Sequence, residues 1–435
     1  MKHITLTNYS HFVHGNKENS TILHVQMEMK APIEEIALIR AAEQTMKRYP
    51  AFAMRLVWTS DGFEYEENKR PAPVFSLQEG KQYHLGSEET NGYLFRISFR
   101  DNAIVLSLHH SITDGRGVME FVKTLLYYYL KETGVTVNPE GIVRTNEIPY
   151  DAEAELEETA ERFADCSIPE EPAGDIGKIV PFALPETCWD EAGNYSCRSF
   201  KVSCSSKDAK AAAQRAGTAV SAWLTAVVAK ALEKTYDTAD KLMLAVVTAN
   251  IRPFAQSDTM FNFSGYVTLG IPSQLRTAPF AVEAQQIEAQ LRNGNTPEAA
   301  VKTIRKKRRE VQEYRKMSFE EVFDSEERKM AEKKKNRQAM AFLLTNVGVL
   351  KLPKDIYAHL ITVDLSLPSF ETPVNFSTLT TGDLLTIGAT MCFDNPAIAE
   401  NIQAVMKEQG VSSRITDLGI MTYDGIYPDS AATAK

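Results

Sequence analysis

The stretch AIVLSLHHSITDGRGVMEFVKTLLYYYL, Ala103 to Leu130, decides how the rest of the chain is read. Ala103–His110 is an apolar run that reads as a buried strand. From Arg116 to about Glu132 the pattern is that of a strongly apolar helix. Between them lies His109-His110-Ser111-Ile112-Thr113-Asp114-Gly115. Adjacent strand residues face opposite sides of a sheet, so only one of the two imidazoles faces a given cavity. Asp114 stands where a side-chain carboxylate caps the free N–H groups of a helix. Gly115 permits a tight turn whose backbone N–H can point at an anion. An imidazole beside backbone donors is the equipment of a general base with an oxyanion site. A buried histidine satisfied by its neighbours and an ordinary S-x-x-D-G turn would leave the same trace.

Working outward, YLFRISFR (93–100) and the strand after it flank Asp101-Asn102, which predicts a hairpin. Segment 21–29 alternates as a strand, 33–48 has helical spacing ended by Pro50, and 51–58 is a further strand. Segment 151–190 turns acidic, then rich in Pro, Gly and Glu. It is the expected connection between lobes spanning 1–165 and 191–435, with the linker at 166–190. Beyond it the reading is strand 199–204, helix 207–235, strands 241–251 and 265–272, and a helical stretch over roughly 281–338. Strands 339–350 and 384–393 and a helix from Pro396 to about Glu408 complete it. Strands and helices mix without βαβ alternation, which predicts an α+β fold.

Composition narrows the function classes. The chain has 435 residues, 43% hydrophobic and 24% charged, with a formal net charge of −9. A dedicated nucleic-acid binder is disfavoured. The apolar run AVSAWLTAVVAKAL (219–232) is too short to span a bilayer and holds Lys230, so no integral membrane association is expected. Five cysteines without a C-x-x-C pair suggest neither a disulfide framework nor zinc, and the expected setting is cytoplasmic. The remaining histidines are scattered, which predicts no metal site. Ser111 has no G-x-S-x-G elbow, against a serine hydrolase.

HHSITDG resembles the HHxxxDG signature of the superfamily that holds condensation domains, chloramphenicol acetyltransferase and related coenzyme-A-dependent acyltransferases. It falls near one quarter of the chain at a strand end. ANIRPF (249–254), NFSGYVTLGIP (262–272) and LLTNVGVL (343–350) resemble that superfamily's second-lobe segments. The plant-type DFGWG motif is absent from the sequence. The resemblance implies two similar chloramphenicol acetyltransferase-like lobes, each a mixed sheet with helices, and an active-site channel between them. It implies that His110 is the general base and that no acyl-enzyme forms. His109, Asp114, Gly115 and Arg252 would be structural at the site, with Asp114 paired to Arg252. Thr345 or Asn346 would contact the oxyanion or the acceptor, unless they are merely polar residues of a strand end.

The activity so implied is acyl transfer from a thioester to an alcohol or amine. The donor is acyl-CoA, which is favoured, or a phosphopantetheine thioester, and no cofactor is tightly bound. The alternatives are a free-standing condensation enzyme served by an acyl or peptidyl carrier protein, and a catalytically silent binding protein of the same fold. A monomer can build such a channel alone. The basic stretch Lys302–Arg337 reads as a solvated helix face or as a docking surface for carrier protein, coenzyme A phosphates or an anionic membrane.

Overall fold

The computed structural model describes residues 2–3, 21–59, 62–78, 81–163, 181–184, 196–238, 241–317, 321, 340–368 and 372–426. The strands are β1 (Lys2–His3), β2 (Ile22–Met29), β3 (Met54–Thr59), β4 (Gly62–Glu67), β5 (Val74–Ser76), β6 (His84–Leu85), β7 (Phe95–Arg100) and β8 (Ala103–His109), then β9 (Ser196–Ser205), β10 (Met243–Asn250), β11 (Ser264–Ile271) and β12 (Phe342–Leu350). The last five are β13 (Leu360–Ser366), β14 (Val374–Thr381), β15 (Leu384–Met391), β16 (Ser413–Thr422) and β17 (Gly425–Ile426). The main helices are α1 (Glu35–Arg48), α2 (Gly115–Glu132), α3 (Ser206–Ala216), α4 (Val220–Thr235), α5 (Phe280–Gly294), α6 (Pro297–Tyr314) and α7 (Ala397–Glu408).

Two mixed sheets carry the molecule. The first has five strands in the order β13-β2-β8-β7-β5. Its core joins Val25 and Met27 of β2 and Leu106 of β8 to Leu38 and Ala41 of α1 and Phe121 and Leu125 of α2. The second has seven strands in the order β11-β10-β12-β14-β15-β9-β16. There Val247, Leu344, Phe376 and Ile387 pack with Trp223 and Val227 of α4, Ile287 of α5 and Ile402 of α7. Each apolar set alternates along its strands, so one face of each sheet is buried under helices. This is the α+β architecture of two lobes.

The lobes are laced together by strand exchange. β13 lies late in the chain yet pairs antiparallel with β2 as an edge strand of the first sheet. The residues of the second sheet that face it are small or polar. Thr381 Oγ1 donates to Val363 O at 3.3 Å, Ser377 Oγ donates to Leu365 O, and Thr390 Oγ1 donates to Leu367 O at 3.0 Å. A Cβ on Gly388 would stand 2.7 Å from Leu365 O. Backbone approaches this close that only glycine or a short hydroxyl fits between. Lys201 reaches Asp364 at 2.7 Å on the same contact. A second tie comes after β16: Asp424 takes Arg96 Nε of β7 at 2.7 Å, both side chains being almost fully buried. The neighbouring Tyr423 hydroxyl meets Ser199 Oγ of β9 at 2.9 Å.

Several elements differ from the sequence reading. The helical stretch over 281–338 breaks at Asn295-Thr296-Pro297. Thr296 Oγ1 caps α6 by accepting from Ala299 N at 3.2 Å, and Pro297 cannot continue α5 because it lacks an N–H. The acidic helix near 151–163 is two short turns, Ala152–Glu155 and Thr159–Phe163. Of the expected linker 166–190, only Pro181–Leu184 is among the described residues. There Phe182 N donates to Leu242 O at 2.7 Å, and its ring joins the second core. Cys197 and Cys204 are buried free thiols, whereas Cys392 is disulfide-bonded, a bridge that the cysteine spacing does not announce. Among the described residues no helix is long and apolar enough to cross a membrane.

Gly388→Val would drive a side chain into the Leu365 carbonyl. Urea unfolding should show a loss of about 1–3 kcal/mol, as for other overpacked sites.

Candidate active site

The motif forms where β8 runs out and α2 begins. Leu106 and Leu108 enter the first core, which fixes the register of the strand. His109 ends it, fully buried. Its Nδ1 accepts from Ser111 N at 3.2 Å and lies 2.7 Å from Ser111 Oγ, so Nε2 carries the proton toward Thr21 Oγ1 at 2.9 Å. Burial, with the adjacent His110 adding to it, pushes its pKa down to about 3. His109 is therefore a neutral ring that shapes the turn.

His110 is half-buried and faces a cavity of about 330 Å³. Its backbone is pinned on both sides: its N–H donates to Thr21 O at 2.7 Å, and its carbonyl accepts from Asn262 Nδ2. Burial lowers the pKa of its ring. The charge of Asp114 and hydrogen bonding to its own backbone and to Asn262 oppose that shift, while Lys307 adds to it. The net direction is downward, so the ring is a neutral base at neutral pH.

Asp114 holds the turn to the second lobe. Its Oδ1 caps α2, accepting from Arg116 N at 3.1 Å and Gly117 N at 3.4 Å. Its Oδ2 accepts from Arg252 Nη1 at 2.7 Å and Phe263 N at 2.9 Å. Burial alone would raise its pKa. Arg252 beside it outweighs that, and the carboxyl stays below its ordinary range. Arg252 is 2% exposed and also donates through Nε to Thr259 O at 3.0 Å and through Nη2 to Phe261 O at 2.6 Å. The helix-cap reading and the ion-pair reading of Asp114 thus both describe it, one for each oxygen. The capped N–H groups of Arg116 and Gly117 already have Asp114 as their anion.

Gly115 is the first residue of α2 and does not take the left-handed conformation. A close approach favours glycine there: a Cβ would lie 3.2 Å from Val347 Cγ2 on β12 of the facing lobe, so that side chain would have to give way. Gly117 is tighter still, since a Cβ would overlap Thr113 Oγ1, which donates to Met260 O. Thr345 and Asn346 of β12 line the same cavity as His110. Asn346 Oδ1 accepts from Gly348 N at 2.9 Å, at the bulge where β12 slips against β14.

The structure thus gathers His110, Asp114, Gly115, Arg252, Thr345 and Asn346 around one cavity, with His109 packed behind. Two neighbours escaped sequence reasoning. Asn262 sits in the NFSGYVTLGIP segment, but nothing in its spacing tells that its amide reaches a histidine carbonyl. Lys307 lies within the basic stretch, yet it is 7% exposed on the face of α6 that carries Ile304 and Val311 into the first core. Its fall within that apolar spacing was the available signal. The part of the basic stretch beyond Met317, apart from Glu321, lies outside the described residues.

Removing the carboxylate should be costly because it strands a buried guanidinium. Asp114→Ala is expected to lose about 3–5 kcal/mol in urea unfolding. Arg252→Met in the same background should recover part of that loss, since no buried charge is then left alone.

No protein-family model and no curated protein sequence matches the chain. Solved structures do. Polyketide synthase associated protein 5 from Mycobacterium tuberculosis superposes with a TM-score of 0.58 at 14% identity, covering 93% of this chain and 98% of that one. Trichothecene 15-O-acetyltransferase from Fusarium sporotrichioides gives 0.59 at 10% identity, covering 94% of each chain. The starter condensation domain of rhizomide synthetase, solved as a mutant with C8-CoA and Leu-SNAC, gives 0.55 at 12% identity over 94% and 93%. The chain has the two-lobed fold of the condensation domains and chloramphenicol acetyltransferase-like acyltransferases.

Proposed function

We propose that the protein is an acyltransferase. It moves an acyl group from a thioester donor, acyl-CoA in preference to a carrier-bound phosphopantetheine thioester, to an alcohol or amine. The observation that carries this reading is the placement of His110. It is a neutral imidazole held by its backbone just past the end of β8, facing a cavity walled by both lobes. C8-CoA in a structural neighbour supports a coenzyme A thioester as donor.

The chemistry follows from the ring's protonation. The acceptor oxygen or nitrogen loses its proton to His110 as it bonds to the thioester carbonyl carbon. The carbonyl oxygen carries the charge of the tetrahedral intermediate, and Thr345 or Asn346 of β12 is the polar side chain proposed to meet it. The intermediate collapses with cleavage of the C–S bond. The imidazolium returns its proton to the departing sulfur, leaving ester or amide and free thiol. No covalent enzyme intermediate is needed. Asp114 contributes negative potential near His110 but is fully engaged with its own four donors. It is a positioning residue.

Thiol release should depend on both an acyl-CoA and an acceptor. His110→Ala should lower it by about 10²–10⁴-fold, the usual worth of a general base. Release that persists in this variant removes His110 from the reaction. Thiol release from a carrier-bound thioester, with none from acyl-CoA, would move the protein to the condensation class. The kcat/KM profile is expected to hold its plateau on the acid side to below pH ~6.5, the free imidazole value. A lowered pKa keeps the base form present to lower pH, so an acid limb at or above 6.5 would contradict the assignment.

A further inference from the structure

The wall of the His110 cavity formed by α2 presents Arg116, Met119, Glu120 and Lys123. That spacing is one face of a helix. Lys123 lies eight residues beyond Gly115, which places it about 12 Å along the helix axis from the histidine turn.

At that end a row of alternating charges leads away from the cavity. Lys123 Nζ lies 2.6 Å from Glu120 Oε1, and Glu120 Oε2 lies 3.6 Å from Arg144 Nε. Arg144 Nη1 then meets Glu155 Oε1 at 2.5 Å. Glu155 also accepts both Nη atoms of Arg48, at 2.7 and 2.8 Å. Three cations therefore share two carboxylates. Arg48 is 1% exposed, bidentate on Glu155, and stacked 3.5 Å from the Tyr150 ring centroid, so its charge is matched in place. The deficit of negative charge falls at the other end. There Lys123 divides Glu120 with Arg144 and faces a cavity whose other walls include Leu23, Val347 and Leu350. Its side chain is only 13% exposed. An ammonium largely removed from water, with a shared counter-ion, is stabilised by a further anion.

We propose that Lys123 is a specificity residue that receives an anionic group of the substrate, roughly one α2 cavity wall away from the reacting atom. This rests on the acyl-transfer reading of the same cavity. The chemistry required is a carboxylate on the acyl acceptor or the phosphate of a pantetheine-type donor. Arg116, on the same face of α2 and 3.9 Å from Asp258 of the loop before β11, stands at the opposite end of the wall.

Equilibrium binding tests this without turnover. Calorimetry would compare 8-hydroxyoctanoate with 1-octanol, and 4′-phosphopantetheine with pantetheine, on the wild type and on Lys123→Met. In the wild type one anionic member should bind about tenfold or more tightly than its neutral twin, as expected for a charge-assisted hydrogen bond. In Lys123→Met that ratio should fall to near one, and Lys123→Arg should retain it. A ratio lost for the hydroxyacid pair identifies the acceptor carboxylate. A ratio lost for the pantetheine pair identifies the donor phosphate. Ratios equal in wild type and Lys123→Met, or no charge preference in the wild type, overturn the proposal. Charge-dependent binding without any thiol release would instead overturn acyl transfer and leave the anion site standing.

Discussion

The contact between Asp114 and Arg252 is the constraint on which the site depends. It joins the turn after β8 to the turn after β10, one from each sheet, at 2.7 Å and almost out of water. A buried ion pair earns little stability by itself, because both groups must be desolvated. Here that cost is met by saturation. Each oxygen of Asp114 has two donors, and three nitrogens of Arg252 hold carbonyls or carboxylate. The carbonyls come from Thr259, Phe261 and Phe263, so the arginine also folds the loop that leads into β11. That loop carries Asn262, whose amide holds the His110 carbonyl. One ion pair thus sets the lobe contact, the start of α2 and the backbone of the proposed base.

Close approach is the second constraint, and it explains the glycines at the lobe boundary. Gly115 and Gly388 stand where a side chain from one lobe would strike the other: Val347 in the first case, the backbone of Leu365 in the second. Ser377, Thr381 and Thr390 satisfy the carbonyls of the β13 segment while taking little room. A cavity between lobes needs walls that meet at their rims, and these small residues are where they meet.

How much of this the sequence discloses differs by element. The strand, turn and helix of 103–132 are legible because each period is unbroken and Asp114 stands at the helix start. The α+β class follows in the same way, as do α1, α2 and α7, whereas α3 with α4 and α5 with α6 each read as one helix, the first pair broken where Gly217 turns left-handed. β13, β14 and β16 were not read. β16 is an edge strand with Leu418 and Ile420 exposed, so it lacks the buried alternation that marks a strand. β14 carries Ser377 and Thr381 because they face β13, and with Thr378 and Thr380 on its other face that polarity hides it. The membership of β13 in the first sheet is a tertiary fact; ITVDLS would read the same in either lobe. Gly115 reads as a loop glycine, while the crowding at it comes from Val347, some 230 residues on. The cavity-facing side of α2 was also concealed, since a helix this apolar shows no clean polar face and Glu120 and Lys123 look like surface residues.

The charges around the cavity divide into two kinds, and the division has chemical meaning. Asp114 and Arg252 are saturated: their hydrogen bonds are all directed at the protein, so they shape the potential at His110 without offering a contact to anything that enters. An aspartate bonded directly to the ring would stabilise imidazolium and raise its pKa; an aspartate held by Arg252 does so weakly, and burial wins. The ring remains a base whose proton affinity is modest. That suits the role proposed for it, in which the ring takes a proton from an acceptor and returns it to a leaving sulfur within one turnover. The charges of Glu120, Lys123 and Arg144 are shared unevenly along a row that opens on the cavity. On the proposed reading, the saturated pair builds the reacting centre, and the unevenly shared row is what remains to tell one entering molecule from another.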